Sequence, residues 1–180
     1  MKAYFKKQSL IGVFCIIMLI AIMFSTVACS NIVPDIKAED VTEGIEAEDV
    51  EGKDLDDSFK SNAANFSFDL FKRSYDDKEN SLISPLSVML ALSMTANGAD
   101  TNTLKQMEQV LGSGIPIDEL NEYLYEYVKG LPSEKKSKLN IANSIWFRDD
   151  DSLKVDEDFL QRNANYYDAE IYKAVFDEKT

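Results

Sequence analysis

Histidine is missing from all 180 residues. Its absence removes the commonest general base, the imidazole metal ligand and the side chain that titrates near neutrality. Ser-His-Asp and Cys-His nucleophile systems are excluded with it. Cysteine is nearly as scarce, occurring only as Cys15 and Cys29, so no cysteine zinc site can be assembled. The seven glycines are scattered and form no phosphate-cradling loop. Basic residues are also few, with 19 Lys and Arg against 32 Asp and Glu and a net charge of −13. Without a basic patch to neutralise phosphates, nucleic acid is excluded as a partner. Asp76-Asp77 and Asp149-Asp150-Asp151 are acidic runs, but neither has the glycine turn and distal glutamate of a calcium loop. They read as solvated turns. Nothing nominates a carboxylate pair for glycoside chemistry. The sequence implies no cofactor, no metal and no enzyme.

What is present begins with a targeting pattern. Lys2, Lys6 and Lys7 precede an apolar run from Leu10 to Phe24, and Thr26-Val-Ala-Cys29 follows. A basic flank, an apolar core and a small residue before a cut are the marks of an export signal. The tetrapeptide resembles the lipobox of bacterial lipoproteins, with Thr26 where leucine is usual. That resemblance implies a lipoprotein-type signal over residues 1–28 and lipidation at Cys29. An ordinary signal cut near Ala28, or an uncleaved anchor helix, are the alternatives. Each exports the remainder, to the cell surface or the extracellular space. Cys15 leaves with a cleaved signal, so the mature chain has no intramolecular disulfide.

Residues 29–57 read as an acidic, disordered linker. Between Asp35 and Asp57, eleven acidic side chains face only Lys37 and Lys53, and no aromatic residue occurs. Such a stretch buries too little apolar surface to offset its ordering entropy. Ala38-Glu-Asp-Val41 recurs as Ala47-Glu-Asp-Val50, which reads as a slipped duplication within a tether. Its like charges keep it extended.

The body, residues 58–180, reads as mixed α+β. Phe59, Ala63, Phe66 and Leu70 make an apolar stripe at helical spacing over Ser58 to Tyr75. A short buried strand near Asn80 turns into a helix capped by Ser84, with Pro85 at its first position. That helix is apolar on nearly every side and, at about 14 residues, too short to cross a bilayer, so it belongs in a large core. A helix capped by Asp100 or Asn102 runs to Gly112, and another from Asp118 to Leu131. Ser133 to Lys138 reads as a solvated loop. Leu139 to Phe147 alternates as a strand with apolar residues on both faces, which predicts a central or nearly central position. Asn143, on its apolar face, needs partners if buried. A helix near Asp156 to Tyr167 and a strand from Ile171 to Phe176 complete the body.

In this order the segments resemble the serpin family of serine protease inhibitors. The resemblance is carried by Asn80 through Ser87 with Pro85, by Gly98-Ala99 and Thr103, and by Leu139 through Phe147 with Asn143. Phe159, Asn165-Tyr-Tyr-Asp-Ala-Glu170 and Phe176 continue it. It covers residues 58 to 180 and implies a helical cluster packed against part of a large β-sheet. It also implies a suicide-substrate mechanism: a protease of serine or cysteine type cleaves an exposed loop, which then inserts into the sheet. Ser84 and Ser87 match the family's positions near the shutter, where strands part, although Ser84 as an N-cap and Ser87 in the first helical turn need no switch. The family's remaining sheet strands and reactive loop correspond to sequence beyond Thr180, so no residue here is the bond attacked. The 180 residues alone are expected not to inhibit. The alternative is a non-inhibitory exported lipoprotein that binds a protein partner.

Overall fold

Asp56 starts the first helix. The structure, a computed structural model, describes residues 38–134 and 137–176. In it the Asp56 carboxylate turns back to accept from Phe59 N–H at 2.7 Å, opening α1 (Asp57–Ser74). Ser84 does the same for α2 (Pro85–Ala96), with proline in the first turn, where a missing N–H costs nothing. Asp100 caps α3 (Thr101–Gly112), which ends at left-handed Ser113. The fourth helix, α4 (Ile117–Lys129), starts after Pro116 and carries Asp118 and Glu119 in its first turn, favourably placed for the helix dipole. Asp156 caps α5 (Glu157–Tyr167).

The core lies where these helices meet. Phe59 and Phe66 from α1 join Met89, Leu90 and Met94 from α2, Leu111 from α3, and Leu120, Tyr123 and Leu124 from α4. Phe59 and Tyr123 stack with centroids 4.8 Å apart. Beside them runs a three-stranded sheet in the order β1 (Ala38–Asp40), β5 (Ala169–Ala174), β4 (Asn143–Arg148). The β4–β5 pair is parallel, aligning Asn143 with Ala169 and Arg148 with Ala174, and α5 is its crossover. Ile171 and Ala174 of β5 are buried.

Five features differ from the sequence expectations. Residues 38–56 are not an unpacked tether. β1 pairs antiparallel with β5, Ala38 opposite Ala174, and Lys173 bridges Glu39 at 2.9 Å and Asp149 at 3.6 Å. The chain then crosses α5, where Gln161 Nε2 donates to Glu46 O and Glu48 N–H donates to Asn165 Oδ1, each at 2.9 Å. Lys53 N–H next reaches Glu122 O on α4 at 3.2 Å, and Lys53 Nζ pairs with Glu119. This strap has no core of its own; it is ordered by surfaces the body supplies. Residues 1–37, including the export pattern, Cys29 and the start of the expected linker, lie outside the described residues.

Among the described residues no strand leads directly into α2, where residues 80–84 are irregular. Leu82 is 99% exposed, and no neighbouring strand among the described residues offers it a ladder. The loop after α4 contains a minimal hairpin, β2 (Ser133–Glu134) with β3 (Ser137–Lys138). The strand expected from Leu139 begins at Asn143, because β5, its only partner among the described residues, begins at Ala169. For the same reason β4 is an edge strand here rather than central, and its outward Trp146 is 44% exposed, stacked on Tyr172 at 4.5 Å.

Candidate functional site at the cleft between α2 and β4

The N-terminal half of α2 faces the approach to β4 across a cleft of about 460 Å³. One wall is α2, with Ser84, Ser87, Leu90 and Met94; the other is Asn140 to Ser144. The walls bear no titratable side chain that could serve as a general acid or base. It holds hydroxyls, amides and methyl groups, the equipment for exchanging hydrogen-bond partners.

Ser84 and Ser87 lie on its rim, both exposed. Their hydroxyls are 2.8 Å apart, and Ser87 N–H approaches Ser84 Oγ at 3.4 Å. The local capping role and the position in the cleft therefore coexist. Asn143 reaches inward from β4, its Nδ2 donating to Tyr167 O at 2.7 Å and tying the strand to the end of α5. At that end Asp168 takes a left-handed conformation, φ 47°, and turns the chain into β5. Aspartate tolerates this region better than most residues.

Other residues singled out from sequence act elsewhere. Gly98 and Phe159 meet, for a Cβ on Gly98 would stand 3.0 Å from ring atom Cδ2 of Phe159. Pro85 holds the first turn of α2. Ala99 donates its N–H to Ala96 O at 3.0 Å in the turn after α2. Asn80 lies in the exposed turn before α2, Thr103 on an exposed side of α3, and Phe176 beyond β5 at 46% exposure. These three are not brought to the cleft.

Behind the cleft lies a polar chain that sequence reading missed. Tyr167 Oη donates to Asn121 Oδ1 at 2.5 Å, Asn121 Nδ2 to Asn97 Oδ1 at 2.8 Å, and Asn97 Nδ2 to Asn163 Oδ1 at 3.3 Å. Asn163 Nδ2 ends it at Phe159 O, 2.9 Å away. Because that carbonyl can only accept, every amide upstream has one orientation. Asn121 and Asn163 are fully buried, and the chain links α2, α4 and α5. Burial pushes the Tyr167 phenol well above its ordinary value, with Ser93 pulling the other way. The available signal was Asn121 beside Leu120, Tyr123 and Leu124, a polar residue on the apolar face of α4.

Comparison with known proteins places this arrangement. The family described as Serpin (serine protease inhibitor) matches residues 61–180, most of the described body. The chain belongs to the serpin family. A solved thermophilic serpin, tengpin, in its native state superposes with a TM-score of 0.75 at 57% identity over 80% of this chain and 37% of that one. A serpin from a loop C-sheet polymer gives 0.70 at 59% identity, covering 75% and 36%. Among curated serpins, rat (Rattus norvegicus) neuroserpin is 30% identical over 108 residues, 59% of this chain and 26% of its own. Ipis-1 of Ixodes persulcatus is 32% identical over 126 residues, 67% and 32%. The chain thus spans between 26% and 37% of the length of these serpins. The incomplete sheet and helical cluster are those of a partial serpin α+β fold.

Proposed function

We propose that this chain forms the N-terminal part of an exported protease inhibitor that works by loop insertion, with a protease of serine or cysteine type as partner. The observation that carries the reading is the cleft between α2 and β4. It is uncharged, rimmed by the paired hydroxyls of Ser84 and Ser87, and bounded by a strand whose outer edge has no partner among the described residues. A sheet that is to accept another strand needs groups there that can change hydrogen-bond partners without moving charge into the core. Family membership and the short span of each relative support the same reading.

Residues 1–28 serve as a lipoprotein-type signal in this proposal, and Cys29 carries the lipid that holds the protein at a cell surface. The body then begins at the strap rather than at Ser58. Two measurements test the parts separately. The longest protein the reading frame encodes, mixed with serine proteases, should give a covalent complex that survives SDS. Turnover as an ordinary substrate would overturn inhibition and favour a binding protein. Radiolabelled palmitate should enter the wild type and not Cys29→Ala; an unlabelled wild type would overturn the anchor alone.

A further inference from the structure

Asn97-Gly98 is the only Asn-Gly pair in the sequence. Asparagine before glycine is the pair most prone to deamidate, because a residue without Cβ leaves its backbone nitrogen open to attack. Here packing requires both halves. Gly98 must be small because Phe159 presses on it. Asn97 must be an amide because it accepts from Asn121 and donates to Asn163. The fold has placed a labile pair at the junction of three helices.

The same geometry withholds the pair from reaction. Asn97 caps α2 with helical backbone angles, φ −60° and ψ −23°. Its side chain is held at both ends, and the Gly98 N–H donates to Thr95 O at 3.1 Å. We propose that Asn97 is a modification site, closed in the folded junction and exposed to deamidation whenever the C-terminal end of α2 opens. In the reaction Gly98 N loses its proton and bonds to Asn97 Cγ, and ammonia departs from Cγ carrying that proton. Water then opens the succinimide to aspartate or isoaspartate. The product carboxylate only accepts, so it can no longer donate to Asn163 Oδ1, and the link from α2 to α5 is lost. Local openings of this kind occur below the global unfolding free energy, so the modification records time spent open.

Asn80-Ser81 supplies an internal comparison. Its chemistry is slower than that of an Asn-Gly pair, but it sits in an exposed turn. The test is mass-spectrometric peptide mapping of the full chain held at mildly alkaline pH, folded and in denaturant. In denaturant Asn97 should outrun Asn80. In the folded chain the order should reverse, with Asn97 slowed at least about tenfold, equivalent to about 1.4 kcal/mol of opening cost. Asn163→Ala, and independently Phe159→Leu, should raise the folded-state rate at Asn97 and leave that at Asn80 unchanged. The proposal is overturned if Asn97 outruns Asn80 in the folded chain, or if neither variant moves its rate.

Discussion

Tyr123 and Asp56 are joined by a hydrogen bond of 2.6 Å from phenol to carboxylate, while the other oxygen of that carboxylate caps α1 through Phe59 N–H. A residue from the acidic approach to the body therefore fixes where α1 begins and how α1 meets α4. Lys53 lies 4.9 Å from the centre of the Tyr123 ring and pairs with Glu119, so the end of the strap and the stacked Phe59–Tyr123 pair form one unit.

Asp56→Ala removes both the cap and the phenol's acceptor, whereas Tyr123→Phe removes only the second. The fall in melting temperature should be larger for Asp56→Ala. On that background Tyr123→Phe should restore part of the loss, because it deletes a hydroxyl left without its partner. Thermal melts of the two single variants and the double variant check this.

The pH dependence follows from the same unit. Hydrogen bonds from Phe59 N–H, then Tyr123, hold the Asp56 carboxyl below its ordinary value. A group depressed in the folded state stabilises above its unfolded pKa, and the contribution is lost as pH falls through the folded value. The hydrogen bond with Glu119 holds Lys53 above its ordinary value, so its contribution is complete below about 10.5 and is lost as pH rises beyond that. Denaturation midpoints across pH should fall at both extremes, with Asp56→Asn flattening only the acid limb.

Hydrogen exchange distinguishes a strap from a tether. Val41 N–H donates to Ile171 O at 2.9 Å and Lys53 N–H to Glu122 O at 3.2 Å. Both amides should be protected relative to a free peptide of residues 38–56. Exchange at the free-peptide rate would restore the disordered linker.

Asn121→Ala should cost about 1–3 kcal/mol, because it leaves the buried Tyr167 hydroxyl and the Asn97 carbonyl without partners. Adding Tyr167→Phe should recover part of that, as it removes the stranded donor. Urea titrations measure both. A double variant weaker than Asn121→Ala would show that the polar chain does not act as described.

Gly98→Ala should cost about 1–3 kcal/mol through overpacking against the Phe159 ring, and Phe159→Leu should relieve it. The same titrations provide the comparison.

Helices and strands with a strong period were legible: α1, α4 and α5 begin within a residue or two of where spacing and caps place them. Strand limits were not, because β4 ends where its partner ends, and β5 is fixed by the turn at Asp168. The strap was illegible for a different reason. Composition reports whether a segment can order itself, and residues 38–56 cannot; they are ordered by Lys173, Gln161, Asn165, Glu119 and Tyr123 on the body. The cleft was half legible. Ser84, Ser87 and Asn143 were singled out through the family resemblance, whereas the asparagine chain, with Asn121 and Asn163 buried, depends on which helix faces meet.

The central claim is that the cleft between α2 and β4 is a working part of an inhibitor. Hydrogen exchange over Ser84–Val88 and Leu139–Ser144, measured on the complete protein before and after cleavage by a bound protease, tests it most directly. Cleavage should change protection in both segments together as the sheet gains a strand. Unchanged exchange in both, with the protease trapped, would contradict the account.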